Sequence, residues 1–299
     1  MYLGLRILGR CAGLALGAAL ALAPARAQAC AACGCGDPTL TMFGVEKPFA
    51  GRIRTGLEFR TRRDVLGRAN VDEVRLQEQR LEFQAGWSPV SRVQLGLAVP
   101  TIARQTTYRN EPQAATPALG DVELRSRVVL FADGTHLVSV HPALKLPTGL
   151  FRRDDQGRYL PLELQPGTGS TDAGIGASYG WFERPWSAYV SAGARIPITT
   201  RSELEPGVQG RATMALQRQL LPVLALRAAA EGRLDATSRE YGRPARDSGG
   251  FIGFAGADIL VSPVTDLTLT ASARLPVVNA LAGRHEEGPY LAAAVALDW

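Results

Sequence analysis

The chain has 299 residues, 46% of them hydrophobic and 20% charged, with a formal net charge of +5 carried almost entirely by arginine; Lys47 and Lys145 are its lysines. Three of the arginines (Arg6, Arg10 and Arg26) lie in the first 29 residues, and about +2 remains without them. The remaining basic residues form no clustered stripe, which excludes nucleic acid as a partner.

The N-terminus sets Arg6 and Arg10 before an apolar run from Ala12 to Ala23, then Pro24 and two A-x-A sites, Ala25-Arg26-Ala27 and Ala27-Gln28-Ala29. This is the pattern of a secretory signal peptide over residues 1–29. Residues 30–50 form a leader with Cys30, Cys33 and Cys35 in C-x2-C-x-C spacing. In an oxidising compartment this reads as one local disulfide with a thiol left over, or as a soft-metal site for Cu(I) or Zn(II). A lipid on Cys30 is a third reading, although Ala27-Gln28-Ala29 is a poor lipobox. No C-x-x-C-H occurs, which excludes covalently attached haem. Beyond the possible metal at the leader, no cofactor is implied.

After the leader no run of 18 apolar residues occurs, so no transmembrane helix is expected. Turn residues divide residues 51–299 into about twelve strand-like segments: 51–63, 76–88, 91–104, 119–131, 136–148, 169–182, 186–199, 207–219, 222–234, 249–261, 265–276 and 288–299. Each is long enough to cross a hydrocarbon core at a tilt of about 45°. The connections alternate. Tight turns such as Asp133-Gly134, Glu183-Arg184-Pro185 and Leu221-Pro222 separate longer stretches at 64–75, 105–118, 149–168, 200–206, 235–248 and 277–287. Short turns alternating with long loops imply an all-β fold. The expected form is a transmembrane antiparallel up-and-down β-barrel over 51–299, with short periplasmic turns and long extracellular loops.

A two-residue period sorts the side chains within these segments. Ile53, Thr55, Leu57 and Phe59 oppose Arg52, Arg54, Glu58, Arg60 and Arg62; Val93, Leu95, Leu97 and Val99 oppose Arg92 and Gln94. Asp121, Glu123, Arg125 and Arg127 oppose Val122, Leu124 and Val128, and Arg274 opposes Leu275. A lipid-facing Arg or Lys at the bilayer midplane costs about 2–4 kcal/mol, so charges in phase must face the lumen. By parity the lumen set is Arg54, Glu58, Arg60, Arg80, Glu82, Glu123, Arg125, Arg127, Lys145, Arg195, Arg211, Arg227, Glu231, Arg233, Asp258 and Arg274. These either form a paired network filling a modest barrel or bias a conduit toward anions, because eleven cations face five carboxylates in the set. The same parity predicts that Val295→Arg blocks assembly and Arg274→Gln does not.

Between the fifth and sixth segments stand Lys145-Leu-Pro-Thr-Gly149 and Leu164-Gln165-Pro-Gly167-Thr168-Gly169-Ser170, followed by Asp172. Here the chain resembles the outer-membrane transporters associated with the phenol meta-cleavage degradation pathway, whose barrels carry a similar pair of motifs. That resemblance implies passage of aromatic or other hydrophobic compounds. Physically, Gly149, Gly167 and Gly169 suit positive φ and tight turns where the strand leaves and re-enters the sheet. The loop 149–168 is expected to fold into the mouth and constrict it with Arg152, Arg153, Asp154, Asp155 and Arg158.

The histidines are His136, His141 and His285, and no G-x-S-x-G occurs. His141 shares a strand with Ser139, which is not a triad, so no enzyme is expected. The closing segment alternates Leu291, Ala293, Val295 and Leu297 up to Trp299, and resembles the C-terminal signal read by the barrel assembly machinery. The expected protein is an outer-membrane channel of a Gram-negative bacterium, surrounded by lipid, for passive passage of a small solute. The other reading is a scaffold whose cysteines dock a periplasmic redox or metal partner.

Overall fold

The computed structural model describes residues 48–67, 73–108, 111–114, 117–153, 156–160, 165–201, 203–245, 248–283 and 285–299. The signal segment and Cys30, Cys33 and Cys35 lie outside the described residues. The described chain is all-β and contains the twelve expected staves: β1 (Ile53–Leu66), β2 (Val74–Val90), β3 (Val93–Tyr108), β4 (Val122–Ala132), β5 (His136–Val140 and Ala143–Leu146), β6 (Thr171–Glu183), β7 (Trp186–Thr199), β8 (Gln209–Leu221), β9 (Leu224–Asp235), β10 (Gly250–Val264), β11 (Leu267–Leu281) and β12 (His285–Asp298). Each pairs antiparallel with its sequence neighbours, and β12 returns to β1 with Arg54 opposite Asp298 and Leu66 opposite His285. The sheet is therefore a closed barrel, the arrangement that leaves no unpaired strand edge in lipid.

Several staves run past their expected ends. β2 has 17 residues and β11 has 15, so strand enters both ends of the expected loop at 64–75 and takes up most of the one at 277–287. β5 is interrupted at His141 and Pro142. Pro142 has no N–H to give to a ladder, yet His141 and Gly176 still exchange backbone hydrogen bonds at 2.8 and 3.1 Å. A register shift between β1 and β12 falls at Arg62/Asp64. It turns Glu287 and Tyr290, three residues apart, both inward and buried, as a bulge can.

The two faces of the wall are chemically opposite. Leu57, Phe59, Leu81, Phe83, Leu95, Leu124, Ile259, Leu269 and Val295 are exposed on the outside. Arg52, Arg54, Glu58, Glu82, Glu123, Arg125 and Arg127, all on the other parity, are buried inside. A few apolar side chains share the interior. Tyr189, Ala215 and Ala229 form one cluster, and Ile252, Phe254 and Tyr290 with Leu281 form another. At the seam Trp299 exchanges backbone hydrogen bonds with Ile53 at 2.8 and 3.2 Å. Its Nε1 donates to Thr55 Oγ1 at 3.2 Å, while Arg52 forks onto Asp298 at 2.9 and 2.6 Å.

Candidate functional site: the charged lumen

The loop-side half of the lumen holds a cavity of about 510 Å³. Ten of the parity-assigned residues line it: Glu58, Arg60, Arg80, Glu82, Glu123, Arg125, Arg195, Arg211, Glu231 and Arg233. Arg62, on the inward face by parity, also lines it, as do Asp64, Glu78, Arg104, Asp235 and Glu287, which the sequence reading did not single out. Among the described lining residues, eight arginines face eight carboxylates; the eleven-to-five count covers the whole inward set, of which Arg54, Arg127, Lys145, Arg227, Arg274 and Asp258 lie outside the lining. Asp64 and Asp235 lie on strand extensions read as loop, and Glu287 lies beyond a bulge, where strict alternation loses its phase; Glu78 and Arg104 lie near the loop ends of expected strands.

The charges are arranged as a chain of forks. Arg60 donates to Glu58 at 2.8 Å, and its guanidinium lies 5.0 Å from the Tyr290 ring centre. Arg125 and Arg195 share Glu123 at 3.0 and 2.7 Å. Arg80 Nε and Gln84 Nε2 both donate to Glu82, at 3.1 and 2.9 Å. Arg62 and Arg233 share Glu287, at 2.9 and 3.2 Å, and Arg104 donates to Glu78 at 2.8 Å.

Toward the periplasmic turns the lumen is filled. Arg54, Arg127, Arg227, Asp258 and Arg274 are buried with Gln84, Gln94 and Gln217, and none of these lines the cavity. Asp258 accepts from Arg227 Nε at 2.6 Å and from Arg274 at 2.7 and 3.1 Å. Arg274 Nε also reaches Glu231 at 2.9 Å, and Tyr290 Oη donates to the other oxygen of Glu231 at 2.7 Å. The dry cluster is thereby tied to the cavity floor. Arg274→Gln, expected from parity not to block assembly, strips one of the two arginines from a buried carboxylate, and a cost in stability follows from this geometry.

The paired motifs form a clamp at the mouth. Lys145 Nζ lies 2.5 Å from Asp172 and 3.5 Å from Asp121. Asp121 also accepts from Gly149 N at 3.0 Å and from Thr168 N and Oγ1 at 2.7 and 2.8 Å, and Ser170 Oγ donates to Asp172 at 2.6 Å. Asp121, read from sequence only as an inward position of the segment 119–131 and standing just before β4, is the hub. A Cβ on Gly149 would stand 2.6 Å from Gly167 Cα and 2.8 Å from Asp121 Oδ1. Close approach, not positive φ, requires glycine at those two positions; of the three, only Gly169 has positive φ, at 66°.

Gln165 is buried and organises the loop from within. Its amide donates to the carbonyls of Arg152 and Leu160, both at 2.8 Å, and accepts from Arg152 N at 2.8 Å. Thr168 lines the cavity, whereas Arg152, Arg153 and Arg158 do not. Arg153 instead lies over Tyr159, 4.2 Å from its ring centre. The root of the loop meets the lumen, not its charged tip; Asp154 and Asp155 lie outside the described residues.

His141 Nε2 pairs with Ser178 Oγ at 2.7 Å, across the sheet from β5 to β6 and not along the strand to Ser139. At the opposite hairpin the Asp133 carboxyl is held below its ordinary range by the N–H groups of His136 and Thr135, which fixes a tight turn.

The barrel is similar to a solved outer-membrane channel from Pseudomonas putida F1, at 12% identity over 84% of this chain and 96% of that one, with a TM-score of 0.65. It is also similar to the translocator domain of the autotransporter NalP from Neisseria meningitidis, at 11% identity over 85% and 90%, with a TM-score of 0.52. The fold is that of an outer-membrane β-barrel. At these identities the likeness is one of fold, and no family model or curated protein matches the sequence.

Proposed function

We propose that this protein is an outer-membrane channel for passive passage of small solutes, hydrophobic and aromatic compounds among them. The observation that carries the reading is a charged, water-accessible cavity of about 510 Å³ inside a closed barrel with an apolar outer wall. That volume falls within the roughly 300–1,000 Å³ of small-molecule sites. The Phe254–Tyr290–Leu281 side of the cavity suits an apolar solute body, in keeping with the resemblance carried by the clamp motifs. The solved Pseudomonas putida barrel of like fold is itself described as an outer-membrane channel.

In this reading residues 1–29 direct export and are removed, residues 30–50 stay in the periplasm, and Trp299 is read by the assembly machinery. Passage is slow, because the buried layer of Arg54, Arg127 and Arg227 must shift to admit a solute. The scaffold alternative rests on Cys30, Cys33 and Cys35, and no described residue favours it.

Single-channel recording of the refolded protein in a planar bilayer tests the proposal. Small discrete steps are expected. Silence from protein with the gel mobility of a folded barrel would overturn it.

A further inference from the structure

Arg211 stands apart from the other lumen arginines. It lies on β8 directly across from Arg233 on β9 and from Gly193 on β7, and it is exposed to the cavity. Among the described residues it makes no ion pair or hydrogen bond. The carboxylates that act on it, Asp235 and Glu123, are engaged by Arg233 and Arg195. Like charges directly opposite in a sheet are destabilising, so the barrel gains nothing internal from this cation. Gly193 opposite it has no side chain to cover the guanidinium.

The neighbouring pairs strengthen the field a solute meets. The Arg80 side chain is 34% exposed and its partner Glu82 5%. The corresponding values are 26% and 10% for Arg195 and Glu123, and 21% and 2% for Arg233 and Glu287. The lining is balanced in number, but in these three pairs the guanidinium stands in front of its carboxylate. A guanidinium fork matches a carboxylate in two parallel hydrogen bonds.

The register places an apolar wall at a useful distance. Arg211 is opposite Arg233, Arg233 is opposite Ile252, and Phe254 is the next inward residue of β10. Two strand spacings across and two residues along put the Phe254 backbone roughly 12 Å from that of Arg211. Phe254 meets Tyr290 edge-on, with ring centres 5.4 Å apart, and Leu281 packs beside them.

We propose that Arg211, flanked by Arg195 and Arg233, is a carboxylate-binding subsite, and that the solute it takes is a small hydrophobic carboxylate whose apolar body rests on the Phe254–Tyr290–Leu281 wall. This deepens the channel reading and rests on the lumen being a solute cavity.

Isothermal titration of the full-length chain, refolded in detergent, with benzoate, benzyl alcohol and acetate tests the subsite independently of conduction. Benzoate should bind at one site, acetate more weakly, and benzyl alcohol not measurably. Arg211→Gln should weaken benzoate binding by roughly tenfold or more, the scale of a lost charged hydrogen-bond pair, and Arg211→Lys should retain part of it. Arg211 has no partner to lose, so both variants should keep folded gel mobility. The subsite is overturned if folded wild type does not bind benzoate, if benzyl alcohol binds as tightly, or if Arg211→Gln binds like wild type. Failure of both variants to fold would assign Arg211 to the barrel's structure and also overturn it. A protein that conducts but does not bind benzoate loses the subsite and keeps the channel; one that binds benzoate but never conducts loses the channel and keeps the subsite.

Discussion

The two halves of the lumen use the same residue types on the same strand face and do different things with them. On the periplasmic side Arg227, Arg274 and Asp258 are sealed from water and bonded to one another. On the loop side Arg80, Arg195, Arg211 and Arg233 face a cavity. The difference is one of depth and neighbours. A charge in the dry layer is held by its partners, and losing one leaves another stranded. A charge on the cavity wall keeps water as an alternative partner and is free to exchange it for a solute.

The comparison breaks most readily in the dry layer. Arg274→Gln should destabilise the barrel by about 3–5 kcal/mol, the cost of removing one partner from a buried ion pair, read as a lowered urea midpoint. A midpoint equal to wild type would mean that water reaches Asp258 and that the halves do not differ. On the outer wall, Val295→Arg should cost about 2–4 kcal/mol if the residue sits near the midplane. Its Leu57 and Leu269 neighbours on β1 and β12's other partner β11 offer no counter-charge, and loss of the folded, heat-modifiable band is the readout.

At the mouth, Gly167→Ala forces a methyl group against Asp121 and Gly149, where overpacking costs about 1–3 kcal/mol. The clamp should loosen, and limited proteolysis should cut the 149–168 loop faster than in wild type; unchanged cutting would remove the clamp from the account. Arg80→Gln should be the mildest, under about 1 kcal/mol for a partly exposed pair. It should leave the urea midpoint nearly unmoved while shifting reversal potentials away from anions, and a large loss of stability would place Arg80 with the dry layer instead.

Much of this was legible in the sequence. The twelve staves follow from turn residues, and the inward arginines from alternation, because a strand's two faces are set by the backbone within a few residues. Legibility failed where a long-range partner intervened. Glu287 lies beyond a bulge against β1, so counting back from Trp299 loses phase before reaching it. Arg62 was inward by parity, but its carboxylate Glu287 sits on a part of β12 read as loop, which is strand because it pairs with the extended end of β1. Asp121 carried no motif signal of its own; it becomes the hub when β4, the end of β5 and residues 167–168 converge.

The sequence by itself determined the barrel, its approximate strand count, the apolar outside and the polar inside, since period and turn chemistry are local. The tertiary structure alone decided which inward charges are sealed and which line a cavity, and that Arg211, among the described residues, makes no ion pair while its neighbours do. Those properties depend on register, bulges and the residue three or four staves away. Parity tells a side chain which way to point; only the closed barrel supplies what it meets there.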